Sequence, residues 1–467
     1  MADLEPIFGG PTKRFFVSML TRDIELKDSI LDLLDNCVDG AMRCDPKILK
    51  AKKPFEGYEA RIKLSPKNFE ISDNCGGIPW EVLQGEALSL GRPNIERDSN
   101  LPTIGMYGIG MKRAIFKMAR EAEIITQSAD GAFKVKYGAK WLNENNEDWV
   151  LPVSKFPKNQ FKNNGTAITV SKLKKDVEKT FHPDSGFVRE LKKAIAEYYG
   201  YIIERGFKVI VNGEIVEPEG LNVLVPKANK IGSAGSISPY IFEGEIDEVQ
   251  ISVVVGFYRP VPRESEIWDE QLAPRTQDQA GISIICNDRV VLLNDKSRAT
   301  GWGEQGVPKY HNQFISIGGI LVFSSNVASK LPIATTKRGI EINSEIYFQG
   351  RTRVIEGIKK FVNFTNKWKG IEDETTPYFN NLELSRARST TKIAEKIGKP
   401  YRKIKNSRQF TPDLPVPENT KKSARISYSK SLDEITAVST FLFDNPDHEP
   451  REVGESAFDY IFERTEK

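Results

Sequence analysis

The stretch from residue 26 to 42 constrains this chain more than any other, because its apolar and polar residues separate onto opposite sides of a helix. At about 100° per residue, with Asp32 at zero, Ile30, Leu31, Leu33, Leu34, Val38 and Ala41 fall between about 100° and 260°. Asn36 and Asp39 fall near 40° and about 340°. Such a helix buries one broad face and turns a narrow arc, Asp32–Asn36–Asp39, toward something polar. Asp35 lies at about 300°, off that arc.

Strand-type runs at 59–64 and 69–72 follow, the second ending in Asp73-Asn-Cys-Gly-Gly77. Residues 80–90 read as helical, 91–107 as a polar, Gly- and Pro-containing mobile loop, and 110–122 as a helix. Further strand signals lie at 122–127, 133–137 and 166–170, with a helix at 187–199. Residues 207–216 read as a hairpin closed by Asn212-Gly213. Strand runs at 249–258, 281–293 and 315–323 precede a helix from about 344 to 368, beyond which the sequence turns polar and irregular. Boundaries are expected near 218 and 345, dividing the chain into 1–218, 219–345 and 346–467.

Three segments carry the chemistry. Alone, the Asp32–Asn36–Asp39 arc is a solvated helix face, Asp73-Asn-Cys-Gly-Gly77 is a turn, and Gly105-Met-Tyr-Gly108-Ile-Gly110-Met-Lys112 is a glycine loop entering a helix. The last has no strand directly before it and no acidic residue about 20 positions on, so it fits a dinucleotide fingerprint poorly. In this order, and followed by Gly165-Thr166, the segments resemble the GHKL ATPase superfamily. That group includes gyrase B, the heat-shock-chaperone ATPases, MutL, MORC proteins and histidine kinases. The resemblance spans roughly residues 15–217, and Phe15-Phe16 with 30–41 is most similar to the MORC and chaperone-like branch.

The resemblance implies an α/β (α+β) two-layer sandwich binding ATP and Mg²⁺, then a transducer-like α/β domain and a helical, partly irregular C-terminal region. Asn36 supplies the oxygen that Mg²⁺ favours, and Asp73 accepts the adenine amino hydrogens, sharing a water with Thr166. Gly77 allows close backbone approach. Gly105, Gly108 and Gly110 form a lid with N–H groups for the phosphates, Lys112 adds a charge, and Asp39 orients either the adenine end or the lid base. Two positions depart from the family pattern. Asp32 stands where a glutamate is the usual general base, one methylene short, which predicts slow hydrolysis. Cys75 stands where a glycine is usual. The loop Leu331-Pro-Ile-Ala-Thr-Thr-Lys337-Arg338-Gly339 fits the lysine that a transducer sends to the γ-phosphate, and its cations otherwise read as solvated loop charges. Gly281–Arg289 fits a transducer strand pair.

Charge matters at the C-terminal end. The net charge is only +3, but residues 351–430 sum to +11 and 431–467 to −7. Nine basic residues between Arg386 and Arg408 face one acidic residue, Glu395. That stripe reads either as a nucleic-acid contact that weakens with salt or as a solvated basic linker. Residues 452–463 read as a short acidic helix with Phe458, Ile461 and Phe462 on one side. Within 451–464 it packs on its own body, folds onto the basic stripe or docks a protein partner. Cys37, Cys44, Cys75 and Cys286 form no CxxC pair, no run approaches a bilayer span, and no signal-type leader opens the chain, so a cytoplasmic protein is expected.

His182, His311 and His448 all follow the motifs, which disfavours a histidine kinase. The residues after 345 are too few for a topoisomerase cleavage module or a MutL-type nuclease. The reading is a slow, Mg-dependent ATPase that dimerises on binding ATP, a MORC-like switch or clamp in genome or phage defence. The alternatives are a chaperone-like protein-remodelling ATPase and a nucleotide-binding structural subunit with little hydrolysis.

Overall fold

The computed structural model describes residues 12–465 except 23, 47–50, 92–93, 95, 106, 144–147, 159–160, 228–235, 264–265, 268–278, 335–336, 391, 393, 395–401, 405, 418–425 and 427. Helices α1 (Lys13–Arg22) and α2 (Leu26–Cys44) open the described chain. The patterned face of α2 does what its periodicity requires: Ile30, Leu31, Leu33, Leu34, Val38 and Ala41 are all buried.

Beneath α2 lies an eight-stranded sheet of order β5-β4-β3-β6-β2-β1-β7-β8. Its strands are β1 (Glu59–Leu64), β2 (Asn68–Asp73), β3 (Ala119–Ser128), β4 (Gly131–Tyr137), β5 (Val153–Phe156), β6 (Gly165–Leu173), β7 (Lys208–Val211) and β8 (Glu214–Ile215). All neighbours are antiparallel except β1 and β7. Helices α3 (Gly110–Met118), α4 (Phe187–Tyr198) and α5 (Gly200–Glu204) complete this layer. Asn212 and Gly213 both take positive φ, +49° and +88°, as a two-residue turn between twisted strands demands.

A seven-stranded sheet of order β13-β12-β14-β11-β10-β17-β16 follows, beside a short pair of β15 with β9. These are β9 (Asn222–Pro226), β10 (Tyr240–Ile246), β11 (Val249–Phe257), β12 (Gly281–Cys286), β13 (Arg289–Asp295), β14 (Ile317–Ser324), β15 (Leu382–Arg386), β16 (Arg402–Ile404) and β17 (Ser407–Phe410). Helix α6 (Glu345–Lys367) lies on β10, β11 and β14. The chain is thus mixed α/β, a GHKL-type sandwich with a further α/β layer and a helical C-terminal region.

Several local expectations are corrected. The helix entered at Gly110 stops at Met118, because Ala119 already pairs with Leu173 across β3 and β6. Residues 80–90 hold one α-turn, Trp80–Val82, and a π-type turn, Leu83–Ala87. Helix α6 shares the core of the second sheet rather than opening a separate region. The chain after Trp368 is not uniformly irregular either: β15 pairs with β9 and β17 with β10, so residues 1–416 form one compact unit. In the other unit, 417–467, α7 (Leu432–Phe443) and α8 (Pro450–Thr465) pack together, and Phe458, Ile461 and Phe462 are exposed. Among the described residues, no helix is long and apolar enough to cross a membrane.

Phe361 on α6 is fully buried and meets the Phe257 ring edge-on at 4.9 Å. Phe361→Ala is expected to cost about 3–5 kcal/mol, read as a lower urea midpoint.

Candidate functional site

Helix α2, the β2 end, the lid residues and the 331–340 loop enclose a cavity of about 570 Å³, within the size range of small-molecule sites. All eleven residues singled out by sequence line it: Asp32, Asn36, Asp39, Asp73, Gly77, Gly105, Gly108, Gly110, Lys112, Thr166 and Lys337.

Asp39 is buried, and its two carboxylate oxygens accept from the Ile104 and Gly105 N–H groups at 2.8 Å each. Burial raises its pKa, against Arg43 and these two N–H groups, which lower it. Asn36, exposed, sits beside Gly105, where an added Cβ would come within 3.9 Å of Asn36 Oδ1 and 2.8 Å of Asp39 Oδ2. Gly110 opens α3 against Asp32, whose Cβ would stand 3.2 Å from a Cβ at residue 110. Gly108 takes φ +65°, and Met106 lies outside the described residues.

At the other end, Asp73 Oδ1 accepts from Cys75 N at 2.8 Å and Thr166 N at 3.3 Å. The Thr166 hydroxyl lies 3.1 Å from that of Thr126, which accepts from Ile78 N at 2.7 Å. Gly77 has a backbone reason to be glycine: its φ is +70°, and a Cβ would sit 2.0 Å from the Gln127 carbonyl. Cys75 is buried against the cavity wall as a small apolar group.

The cations are arranged differently from the sequence reading. Lys112 is buried, and its ammonium donates to the Ala87 carbonyl at 3.0 Å and to the Gly108 carbonyl, latching the lid to the turn before it. Burial without a carboxylate partner pushes its pKa down to about 8. Asp32 is ion-paired with Arg113, and Lys337 Nζ stands 3.4 Å from its other oxygen. Lys337, at φ +54°, also donates to Asp35 at 2.8 Å, and Arg338 pairs with Asp28. Tyr107 of the lid donates to the Ile333 carbonyl at 3.2 Å, so the same loop touches both α2 and the lid.

Sequence reasoning passed over Asp35, Arg113, Thr126, Tyr199 and Arg289. Arg113 follows Lys112 in the helix that the glycines open, so its neighbourhood to Asp32 was signalled by that motif. Tyr199 and Arg289 come from distant elements, and no local pattern marks them. The buried set at this end holds three carboxylates, Asp32, Asp35 and Asp39, against four cations, Lys112, Arg113, Arg289 and Lys337, an excess of one that suits an incoming anion. Of the basic stripe, Arg386 pairs with Glu204 at 2.7 Å, Arg388 with Asp288 and Arg408 with Glu243. Tyr401 and the lysines at 396, 399 and 405 lie outside the described residues.

The family model for histidine kinase-, DNA gyrase B-, and HSP90-like ATPases matches residues 24–176. Residues 24–176 are a GHKL-superfamily ATPase domain. No curated protein matches the chain. This ATPase domain begins just before α2 and ends just beyond β6, leaving Lys337 and its loop outside the match. The donor set fits the family's ligand: an exposed amide oxygen for a hard cation, an acceptor carboxylate flanked by N–H groups, and a cationic end for phosphates.

Burial pushes the Asp73 carboxyl from the ordinary 3.8 up to about 6. The folded chain therefore holds this proton more tightly than the unfolded one, giving stability that is complete below about pH 4 and lost as pH rises through 6. Asp73→Asn keeps the Oδ1 acceptor and carries no charge. Urea unfolding is expected to find the variant more stable than the wild type at pH 7.5, by on the order of 3 kcal/mol, with the advantage gone below about pH 4.

Proposed function

We propose that this protein is a Mg²⁺-dependent, slowly hydrolysing ATPase whose nucleotide state is read by the 331–340 loop and coupled to homodimerisation. The observation that carries the reading is Lys337: it reaches α2 from outside the matched ATPase domain and ends 3.4 Å from Asp32, in the same cavity as Asn36 and Asp73. Mg²⁺, when bound, draws charge from the phosphates. Asn36 would hold it, Asp73 and Thr166 would hold the adenine edge, and Gly105, Gly108 and Gly110 would bring lid N–H groups to the phosphates. Asp39 keeps that lid base in place.

Asp32 is the general base. It is short, and its two oxygens already face Arg113 and Lys337, so it has to give up a cation contact to reach a water, and turnover is slow. The same engagement favours, as the second reading, a nucleotide-binding structural subunit. A terminal phosphate that attracts Lys337 gives the ATP and ADP states different contacts between the loop and α2, which is what a switch requires.

The output of the switch is assigned to protein contacts, the chaperone-like alternative, ahead of a MORC-like, DNA-associated clamp. Arg386, Arg388 and Arg408 are engaged within the chain, which leaves the nucleic-acid reading of 386–408 to the remaining basic residues. The acidic residues 451–464 are the protein-docking candidate.

Asp32→Asn is expected to bind ATP with near wild-type affinity and to lower kcat by about 100-fold or more. Wild-type turnover in that variant would remove Asp32 from the reaction. Light scattering is expected to find dimers with a non-hydrolysable ATP analogue and monomers with ADP. Neutralising Lys392, Lys396 and Lys399 is expected to leave that dimerisation unchanged. Salt-sensitive duplex binding lost in the same variant would instead make nucleic acid the partner.

A further inference from the structure

Behind the cavity lies a group of buried side chains that the site as assigned does not use. Asp35 precedes Asn36 and is fully buried. Its Oδ1 lies 2.6 Å from the Tyr199 hydroxyl and accepts from Arg289 Nε at 3.1 Å, while its Oδ2 accepts from Lys337 Nζ at 2.8 Å. The Tyr199 hydroxyl is also 2.7 Å from the Leu31 carbonyl, which pins it to α2. Arg289 lies over the Tyr199 ring at 4.2 Å and donates to the Val290 carbonyl at 2.7 Å. Three elements therefore converge on one carboxylate: the end of α4, the start of β13 and the 331–340 loop.

This geometry decides where Lys337 sits. Its ammonium is closer to Asp35, at 2.8 Å, than to Asp32, at 3.4 Å. The Asp35 carboxylate faces two cations, Lys337 and Arg289, and the Tyr199 hydroxyl, so its oxygens are held in place from three sides. A buried lysine without that carboxylate would lose its main anchor in a low-dielectric site. Asp35 does not line the cavity, so it acts on a nucleotide only through Lys337.

We propose that Asp35, fixed by Tyr199 and Arg289, is a positioning residue that holds the Lys337 ammonium beside Asp32, where a terminal phosphate meets it. The inference rests on the ATP reading above and deepens it. Asp35 and Lys337 then act as one unit on the γ-phosphate and have no part in binding ADP.

The test is calorimetric binding of Mg–ADP and of a Mg-bound non-hydrolysable ATP analogue to the full chain and to Lys337→Ala, Asp35→Asn, Tyr199→Phe and the Asp35→Asn/Lys337→Ala double variant. The preference for the analogue over ADP is expected to fall about tenfold in Lys337→Ala and similarly in Asp35→Asn. Tyr199→Phe loses a smaller part of it, and the double variant matches Lys337→Ala. ADP affinity is expected to change by less than about twofold. A wild-type preference in Asp35→Asn overturns the proposal. So does a parallel loss of both nucleotides, which marks a merely structural role, or additive losses in the double variant. Should Asp35→Asn not fold, an unchanged preference in Tyr199→Phe overturns the proposal by itself. A wild type that binds neither nucleotide overturns the ATP reading, whereas binding that is indifferent to Asp35 overturns only the positioning role.

Discussion

The fold depends on a small volume of buried charge. Asp35 and Asp32 on α2 pair with Lys337, Arg289 and Arg113, and each of these cations arrives from a different element. Charges leave water only where partners replace the solvent, and removing one member of such a set costs about 3–5 kcal/mol. The cluster therefore ties β13 and the 331–340 loop to α2 through directional contacts. Tyr107 on the Ile333 carbonyl, Asn287 on the Thr103 carbonyl at 3.2 Å and Arg205 on Asp288 extend the same joint along the lid base and α5.

That joint also gives the cavity its character. The end at β2 is built from short, backbone-satisfied groups: Asp73, Thr166, Thr126 and a glycine forced by the passage of β3. Its other end carries more cation than carboxylate. Lys112 makes up that excess but is tied to the Ala87 and Gly108 carbonyls, so movement of this segment and availability of that charge go together. A site so divided favours a ligand with a hydrogen-bonding flat end and an anionic end, in keeping with the ATPase domain over 24–176.

Much of this was legible in the sequence, and the reason is local. The helix period of α2 sets the cavity-facing arc whatever the rest of the chain does, and glycines at 77, 105 and 110 mark places where backbone or side chain crowds a Cβ, while Gly108 takes a positive φ. Long-range pairing was not legible. Asp35 lies about 60° off the arc, which reads as idle until Tyr199 and Arg289 arrive from 164 and 254 residues away. The stripe 386–408 reads as a free cationic run because Glu204, Glu243 and Asp288 are distant in sequence. The strands β15 to β17 are short and polar, and only their partners β9 and β10 make them strands.

The central claim is that a loop outside the ATPase domain senses the terminal phosphate through Lys337. Hydrogen exchange on the full chain, with Mg–ADP and with a Mg-bound non-hydrolysable ATP analogue, tests it most directly. The account predicts added protection at residues 333–341 and 103–110 with the analogue and none beyond the nucleotide-free level at 333–341 with ADP. Equal protection of residues 333–341 by both nucleotides would contradict it.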